Sequence, residues 1–356
     1  MDNQTANQNL TQNSSSEVDK LKTALQNADL PANLHDKALE QIDRINLTLK
    51  YGGNLSQLDI TAKYIDWITH IPWNIKTEDS IDIQKAKTIL DQNHYGLQKI
   101  KSLILEYLSV LIIEKQKASS ESFRGSSLFF VGLAGTGKTT FAKSVADALG
   151  RKFVRIPFGG LSSALDLRGQ SKTSPEAEPG MIIKALRRAG SRNPVILLDE
   201  LDRITPEARA AIMGVLIELL DPGQNQNFTD YFIDYPIDLS QVLFIATANN
   251  TNNISTAVMD RLEVIQMPSY SDEEKIAIAK NYVLPRFIKD SGIASDAIKI
   301  DDGVWLKLTR PLGFDAGIRT LERTIQGIVR KVAYKMVSGQ GTNFVIDETN
   351  IKEYIS

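Results

Sequence analysis

The sequence predicts an α/β fold, a parallel sheet with helices on both faces, flanked by one helical segment before it and another after it. Three observations carry this. Four short apolar runs, Leu128–Val131, Phe153–Ile156, Val195–Leu198 and Val242–Ala246, alternate with stretches of helical periodicity. Such predominantly apolar runs suit strands buried on both faces, as in parallel sheets covered by helices. The first run opens into a glycine-rich turn and then a helical pattern. Both flanks place their apolar residues at helical spacing.

Taken in order, residues 1 to about 16 are nearly all Asn, Gln, Ser and Thr. Such a segment buries too little apolar surface to offset ordering entropy and is expected to be a disordered tail. Val18, Leu21, Leu25 and Ala28, then Ala38, Ile42, Ile45 and Leu49 after Pro31, mark two helices. Gly52-Gly53 interrupts, and a third helix around Tyr64–Ile68 stops before Pro72. Trp67 and Trp73 near that stop read as core groups. Ile83–Leu90 and Ile100–Lys115 look helical, joined by His94-Tyr95-Gly96-Leu97. Beyond the sheet, Ser271 and Glu274 form a capping-box pair. Ile318, Leu321, Ile325, Ile328 and Val332 stripe a long helix expected to start at Asp315, and Ser338-Gly339-Gln340-Gly341 ends it. Phe344–Ile346 reads as a short strand. The expected division is a tail (1–16), a helical linker (17–92), an α/β core (93–268) and a helical lid (269–356).

Composition narrows the chemistry. The chain has 356 residues, 42% hydrophobic, at net charge −2, enough for two or three domains. The balanced charge argues against a dedicated nucleic-acid binder. Pairs such as Arg187-Arg188 and Arg330-Lys331 are as expected on solvated helix faces. Without cysteine there is no disulfide and no thiolate metal site, and three scattered histidines (His35, His70, His94) do not make a protein-bound zinc site. No apolar run is long enough to span a membrane and no secretory signal is read, so a cytoplasmic protein is expected.

The glycine-rich turn carries the most information. Gly132-Leu133-Ala134-Gly135-Thr136-Gly137-Lys138-Thr139 has the spacing G-x-x-x-x-G-K-T of a phosphate-binding loop, and Thr140 extends it into the helix. Glycines at 132, 135 and 137 are expected to permit φ > 0 and to leave room for N–H groups aimed at phosphate oxygens. The following helix, Lys138 to Leu149, offers free N–H groups and a positive dipole end to the same anion. Lys138 adds a full charge, and the Thr139 hydroxyl is a Mg²⁺ ligand. ATP and Mg²⁺ are the cofactors this chemistry implies.

Two further strand ends complete a hydrolytic set. Val195–Leu198 runs into Asp199-Glu200, placing two carboxylates at the sheet edge where ligands bind. Asp199 would hold Mg²⁺ and Glu200 would orient and deprotonate the attacking water; a helix cap is the plain alternative. Phe244–Ala248 ends at Asn249, suited either to hydrogen-bond γ-phosphate and water or simply to make a turn. Arg261 and Arg319 supply guanidiniums suited to a phosphoryl group developing charge, with ordinary surface ion pairing as the alternative.

From about Leu21 to Ser356 the chain resembles the ATPase module of Lon proteases, a branch of the AAA+ superfamily. The stretches that carry the resemblance are Tyr64–Ile68 with Ile71-Pro72-Trp73, His94–Leu97, Gly132–Thr139, Leu219–Asn225, Ala246–Asn249, Asp260–Ile265 and Gly317–Arg323. The resemblance implies a P-loop AAA+ sheet with an N-terminal helical linker and a C-terminal helical lid. It implies that Asn249 is the first sensor, Arg319 the second, and Arg261 an arginine finger acting on a neighbour's ATP. It also implies that Tyr95 and Leu97 hold the adenine, and that the chain self-associates, as a homohexamer.

Three departures from the family stand out. The chain stops at Tyr354-Ile355-Ser356, where the family's lid ends and its Ser–Lys peptidase would follow, so no peptidase activity is expected from this chain alone. Before the core only a helical linker is expected from this sequence, not the family's large N-terminal substrate-recruiting domain. The loop after Arg168-Gly169, which in the family projects an aromatic–aliphatic pair into the ring's pore, here places Ser174 at the aromatic position, with Glu176 and Glu178 beside it. Phe228, Tyr231 and Phe232 in a second loop are candidates to grip substrate, or simply core. Two readings follow. One is Mg²⁺-dependent ATP hydrolysis by a ring that remodels or unfolds proteins, feeding a peptidase on another chain. The other is a nucleotide-dependent scaffold that threads nothing.

Overall fold

The structure is a computed structural model and describes residues 16–51, 56–80, 82–116, 126–309 and 316–355. The tail reading (apart from Ser16) and the Gly52-Gly53 break lie outside the described residues; the long helix expected from Asp315 starts instead at Arg319, because 316–318 are non-helical and Gly317 packs directly on the backbone of Ala134 and Gly135. The helices before the sheet are α1 (16–27), α2 (Ala32–Lys50), α3 (Ser56–Thr69), α4 (Ile83–Asn93) and α5 (Gln98–Gln116). Asp82 starts α4, its carboxylate accepting the N–H groups of Gln84 and Lys85 at 2.9 and 3.0 Å. Trp73 is half-buried as expected of a core neighbour: its indole N–H donates to the Ile68 carbonyl at 2.8 Å.

The α/β core runs β1 (Ser127–Val131), α6 (Lys138–Leu149), β2 (Phe153–Pro157), α7 (Leu165–Arg168), α8 (Met181–Ala189), β3 (Val195–Asp199), α9 (Pro206–Leu220), a hairpin of β4 (Phe228–Thr229) and β5 (Pro236–Ile237), β6 (Leu243–Ala248), α10 (Thr256–Met259) and β7 (Leu262–Gln266). The main sheet is parallel throughout, in the order β2-β3-β6-β1-β7. Its fifth strand, β7, was not among the four apolar runs. It is an edge strand with Glu263 and Val264 exposed between the buried Leu262 and Ile265, so burial on both faces never wrote itself into its sequence.

Register sets the site. Val131 pairs with Ala248 and Leu198 with Ala246, so the turn after β1, the carboxylates ending β3 and the amide after β6 all emerge at one sheet edge. Alternate side chains point to opposite faces. Phe129, Ile196 and Phe244 pack on one side, in a cluster shared with α1, α2 and α3. Phe130, Leu197 and Ile245 pack on the other, against α4, α5 and α6.

After the sheet come α11 (Asp272–Ile278), a π-turn over Ala279–Val283, α12 (Leu284–Ser291), β8 (Ile298–Ile300), α13 (Asp302–Thr309), α14 (Arg319–Val337), β9 (Phe344–Ile346) and α15 (Ile351–Tyr354). The capping box is present: the Ser271 hydroxyl accepts the Glu274 N–H, and the Glu274 carboxylate accepts the Ser271 N–H. The expected strand Phe344–Ile346 pairs in parallel with β8, which three residues of Ile-Lys-Ile were too short to announce. These elements close over their own core around Trp305, Leu308, Ile325 and Ile328. Among the described residues no helix is long and apolar enough to cross a membrane.

Candidate nucleotide-hydrolysis site

The loop between β1 and α6 takes its shape from its glycines, though not in the uniform way expected. Gly135 and Gly137 adopt φ of +81° and +94°, where a side chain is strained. Gly132 does not. A Cβ there would lie 2.6 Å from the Met267 carbonyl oxygen, so close passage of the chain past the end of β7 is what requires glycine at that position. Side-chain bonds hold the turn: the Thr136 hydroxyl donates to the Leu133 carbonyl (2.9 Å) and the Thr140 hydroxyl to the Gly137 carbonyl (2.7 Å). Gly137 ends in a left-handed conformation that launches α6, whose first N–H groups have no partner within the helix. Gly150, at φ +70°, closes it.

Lys138 folds back over this loop. Its ammonium donates to the carbonyls of Gly132 (2.5 Å) and Leu133 (2.9 Å) and to Asn249 Oδ1 (3.2 Å). Burial lowers its pKa, while the carboxylates of Asp202, Asp199 and Glu200 push it back up. Asn249 donates in turn to Asp202 Oδ2 at 3.2 Å. Asp199 is buried at the end of β3. It accepts the Thr247 hydroxyl on one oxygen and Arg155 Nε, at 2.5 Å, on the other. The same Thr247 oxygen accepts the Glu200 N–H at 3.0 Å. Glu200 itself sits at φ +62°, a costly conformation for a residue with a side chain, and its carboxylate accepts the Arg203 guanidinium at 3.3 Å.

These groups converge on a cleft of about 310 Å³ lined by Lys138, Thr139, Asp199, Glu200, Asn249 and Arg319 among others. The lid reaches the loop directly: the Ile318 N–H donates to the Gly135 carbonyl at 3.2 Å, and α14 starts at the next residue with Arg319. A Cβ on Gly317 would stand 2.4 Å from the Ala134 carbonyl oxygen.

Not every expected residue is in the cleft. Arg261 is elsewhere, its guanidinium on Asp221 Oδ2 (3.1 and 2.7 Å) and the Ala257 carbonyl (2.8 Å), and it holds the Asp221 carboxyl below its usual range. Tyr95 and Leu97 lie in the α4–α5 turn and do not line the cleft. Leu97, at φ +52°, packs on both the sheet core and the lid core, and Tyr95 meets the edge of Tyr282 with centroids 6.5 Å apart. Thr247, Asp202 and Arg155 belong to the cleft network and were missed. Only Arg155 left a trace, as a lone charge inside the run Phe153–Ile156.

The two loops expected near a ring's pore are joined by one buried acid. Asp230 is fully buried and accepts the N–H groups of Gly180 (2.7 Å), Phe232 (2.9 Å) and Ile233 (3.1 Å). Burial raises its pKa to about 6 against the pull of those bonds. Phe228 and Phe232 are core, at 0% and 1% exposed, so of the three aromatics proposed to grip only Tyr231, at 47%, faces outward. Ser174, Glu176 and Glu178 are all exposed, and Glu178 pairs with Lys184 at 2.5 Å. Arg187, one of the scattered basic residues, pairs with Asp66 and lies 4.4 Å from the centroid of Trp67.

A phosphate-binding loop with two acids, an amide and a lid arginine around one cleft defines a P-loop nucleoside triphosphatase of the AAA type. Residues 128–270 match the ATPase family associated with various cellular activities (AAA), and residues 289–344 match the Lon protease AAA+ ATPase lid domain. The chain is 40% identical over 339 residues to the Lon protease of Lawsonia intracellularis, covering 95% of this chain and 40% of that protein. It is 38% identical over 345 residues to Lon protease 2 of Thermus thermophilus (95% and 42%) and 42% identical over 330 residues to the Lon protease of Dictyoglomus thermophilum (93% and 40%). The chain belongs to the AAA ATPases, as an ATPase module of the Lon protease family. It spans about two fifths of the length of these relatives.

Proposed function

We propose that this chain hydrolyses ATP with Mg²⁺ as one subunit of a homohexameric, cytoplasmic ring that remodels or unfolds proteins, and that it does so for a peptidase on another chain. The observation that carries the reading is the convergence of Lys138, Thr139, Asp199, Glu200, Asn249 and Arg319 on one cleft. The Thr139 hydroxyl and Asp199 carboxylate are hard oxygen donors of the kind Mg²⁺ takes, so the residues present fit the metal. Bound there, Mg²⁺ would neutralise phosphate charge. The protein's own groups do the rest. The loop amides and Lys138 hold the phosphates. Glu200 orients the attacking water and takes its proton, Asn249 positions both, and Arg319 couples the lid to the γ-phosphate. Arg261, held away from its own cleft by Asp221, suits a finger presented to the next subunit. Tyr95 and Leu97 hold the adenine at the core–lid junction, and the core (93–268) and lid (269–356) act as units either side of it.

The test is turnover with and without Mg²⁺, alongside Glu200→Gln. The variant is expected to bind ATP as tightly as the wild type and to lose at least about a hundredfold in rate. Binding lost together with turnover would count against the assigned role of Glu200.

The pore-side residues favour a second reading, a nucleotide-dependent assembly module that threads no substrate. Ser174 offers no packing surface, and of Phe228, Tyr231 and Phe232 only Tyr231 is exposed. Stimulation of ATP turnover by an unfolded protein such as casein separates the readings: a ring that threads is stimulated, a scaffold is not.

A further inference from the structure

Arg155 is the one charged residue of β2, and it faces the cleft. Its Nε donates to Asp199 Oδ2 at 2.5 Å. The two partners are unequal: the Arg155 side chain is 50% exposed and that of Asp199 only 6%. The carboxylate's other oxygen is held by Thr247, a neutral donor fixed in β6. Asp199 therefore has one permanent neutral partner and one cationic partner with a free path into the cleft. A carboxylate taken out of water needs a cation beside it, and here the protein supplies one of its own.

We propose that Arg155 is a resident counter-cation that holds Asp199 in place until Mg²⁺ arrives with nucleotide, and that it then swings to the phosphates. The inference rests on the ATP and Mg²⁺ reading above. Two cations drawn to one carboxylate oxygen repel each other, so the metal's gain at Asp199 is reduced by the guanidinium it displaces. Once released, a planar guanidinium in a cleft that already presents Lys138 and Arg319 meets phosphate oxygens in its preferred geometry. The same side chain thus weakens metal binding and strengthens phosphate binding. Arg155 is a positioning residue here: it acts on the metal through Asp199.

Titration of Mn²⁺, a paramagnetic stand-in for Mg²⁺, into the ADP-saturated full chain tests this by the free-ion EPR signal. Arg155→Gln is expected to bind Mn²⁺ about fivefold more tightly, the effect of removing one screened, half-exposed like charge. Arg155→Lys keeps the charge and is expected within about twofold of wild type. With Mg²⁺ saturating, when the guanidinium is on the phosphates, Arg155→Gln is expected to bind ADP more weakly than wild type, whereas in EDTA the two are expected to bind it alike. Should the glutamine variant misfold, Arg155→Met makes the same measurement. Unchanged or weaker Mn²⁺ binding in the uncharged variant, with ADP binding intact, overturns the proposal. A wild-type chain that takes up no ADP brings down the ATP reading instead.

Discussion

His94 is buried, stacked on Phe141 with centroids 3.6 Å apart, and its Nε2 lies 2.9 Å from the Ser144 hydroxyl. Burial and the nearby Lys101 ammonium lower its pKa from 6.5 to about 4. The folded protein thus keeps the ring neutral where the unfolded chain protonates it. The resulting stability is complete above pH 6.5 and drains away as pH falls towards 4. This amounts to about 3 kcal/mol for one such group. Urea denaturation of wild type and His94→Gln at a series of pH values checks it: the stability gap between the two is expected to shrink by about that amount over this window. A constant gap would show that the imidazole does not titrate as its surroundings require. The ring packs on α6, the helix launched by the phosphate loop, so the same protonation is expected to loosen nucleotide binding.

Among elements, the junction between α14 and the phosphate loop is built from backbone packed on backbone. At Gly317 an added Cβ meets the Ala134 carbonyl oxygen at 2.4 Å and the Gly135 Cα at 2.6 Å, and neither atom can swing aside. Gly317→Ala is expected to push the start of α14 off the loop, at a cost of about 2 kcal/mol. ADP binding should weaken about tenfold or more as Arg319 is carried away, readable by calorimetry. Gly214, in the middle of α9, is the contrast. It is exposed and a Cβ there meets nothing within 4 Å. Gly214→Ala is expected to stabilise the protein by about 0.5–1 kcal/mol through helix propensity alone, seen as a higher Tm.

At the scale of the whole molecule, the nucleotide cleft holds Arg319 from its own lid but not Arg261. The expectation is that Arg261 acts across a subunit boundary. Arg261→Ala should keep ADP affinity near wild type while turnover falls about 10³-fold, the scale of a lost arginine finger. Mixing supplies the sharper test. Lys138→Ala cannot bind phosphate but still carries Arg261, whereas Arg261→Ala has an intact cleft. Assembled together, the two inactive variants are expected to recover turnover, because one lends its finger to the other. No recovery from rings shown to be mixed would place Arg261 in its own subunit's chemistry.

What could be read from the linear chain was whatever is written locally. The phosphate loop and the bounds of α6 follow from Gly132 to Gly150, since turn, helix start and helix stop each depend on residues a few positions apart. The three inner strands, β1, β3 and β6, declare themselves because burial on both faces leaves almost only apolar residues, and the edge strand β2 shows a shorter apolar signal around Arg155. Asp199, Glu200 and Asn249 were legible as strand ends. Only the tertiary structure decided what depends on partners distant in sequence. Parallel register set Asp199 against Thr247, 48 positions away, and Arg155 against Asp199, 44 positions away. The edge strand β7, the short β8, and the division of the pore-side aromatics into buried Phe228 and Phe232 and exposed Tyr231 followed the same rule. The physical reason is common to all of them. Propensity and periodicity act over a few residues, while burial and ion pairing are settled only when the sheet brings remote segments into register.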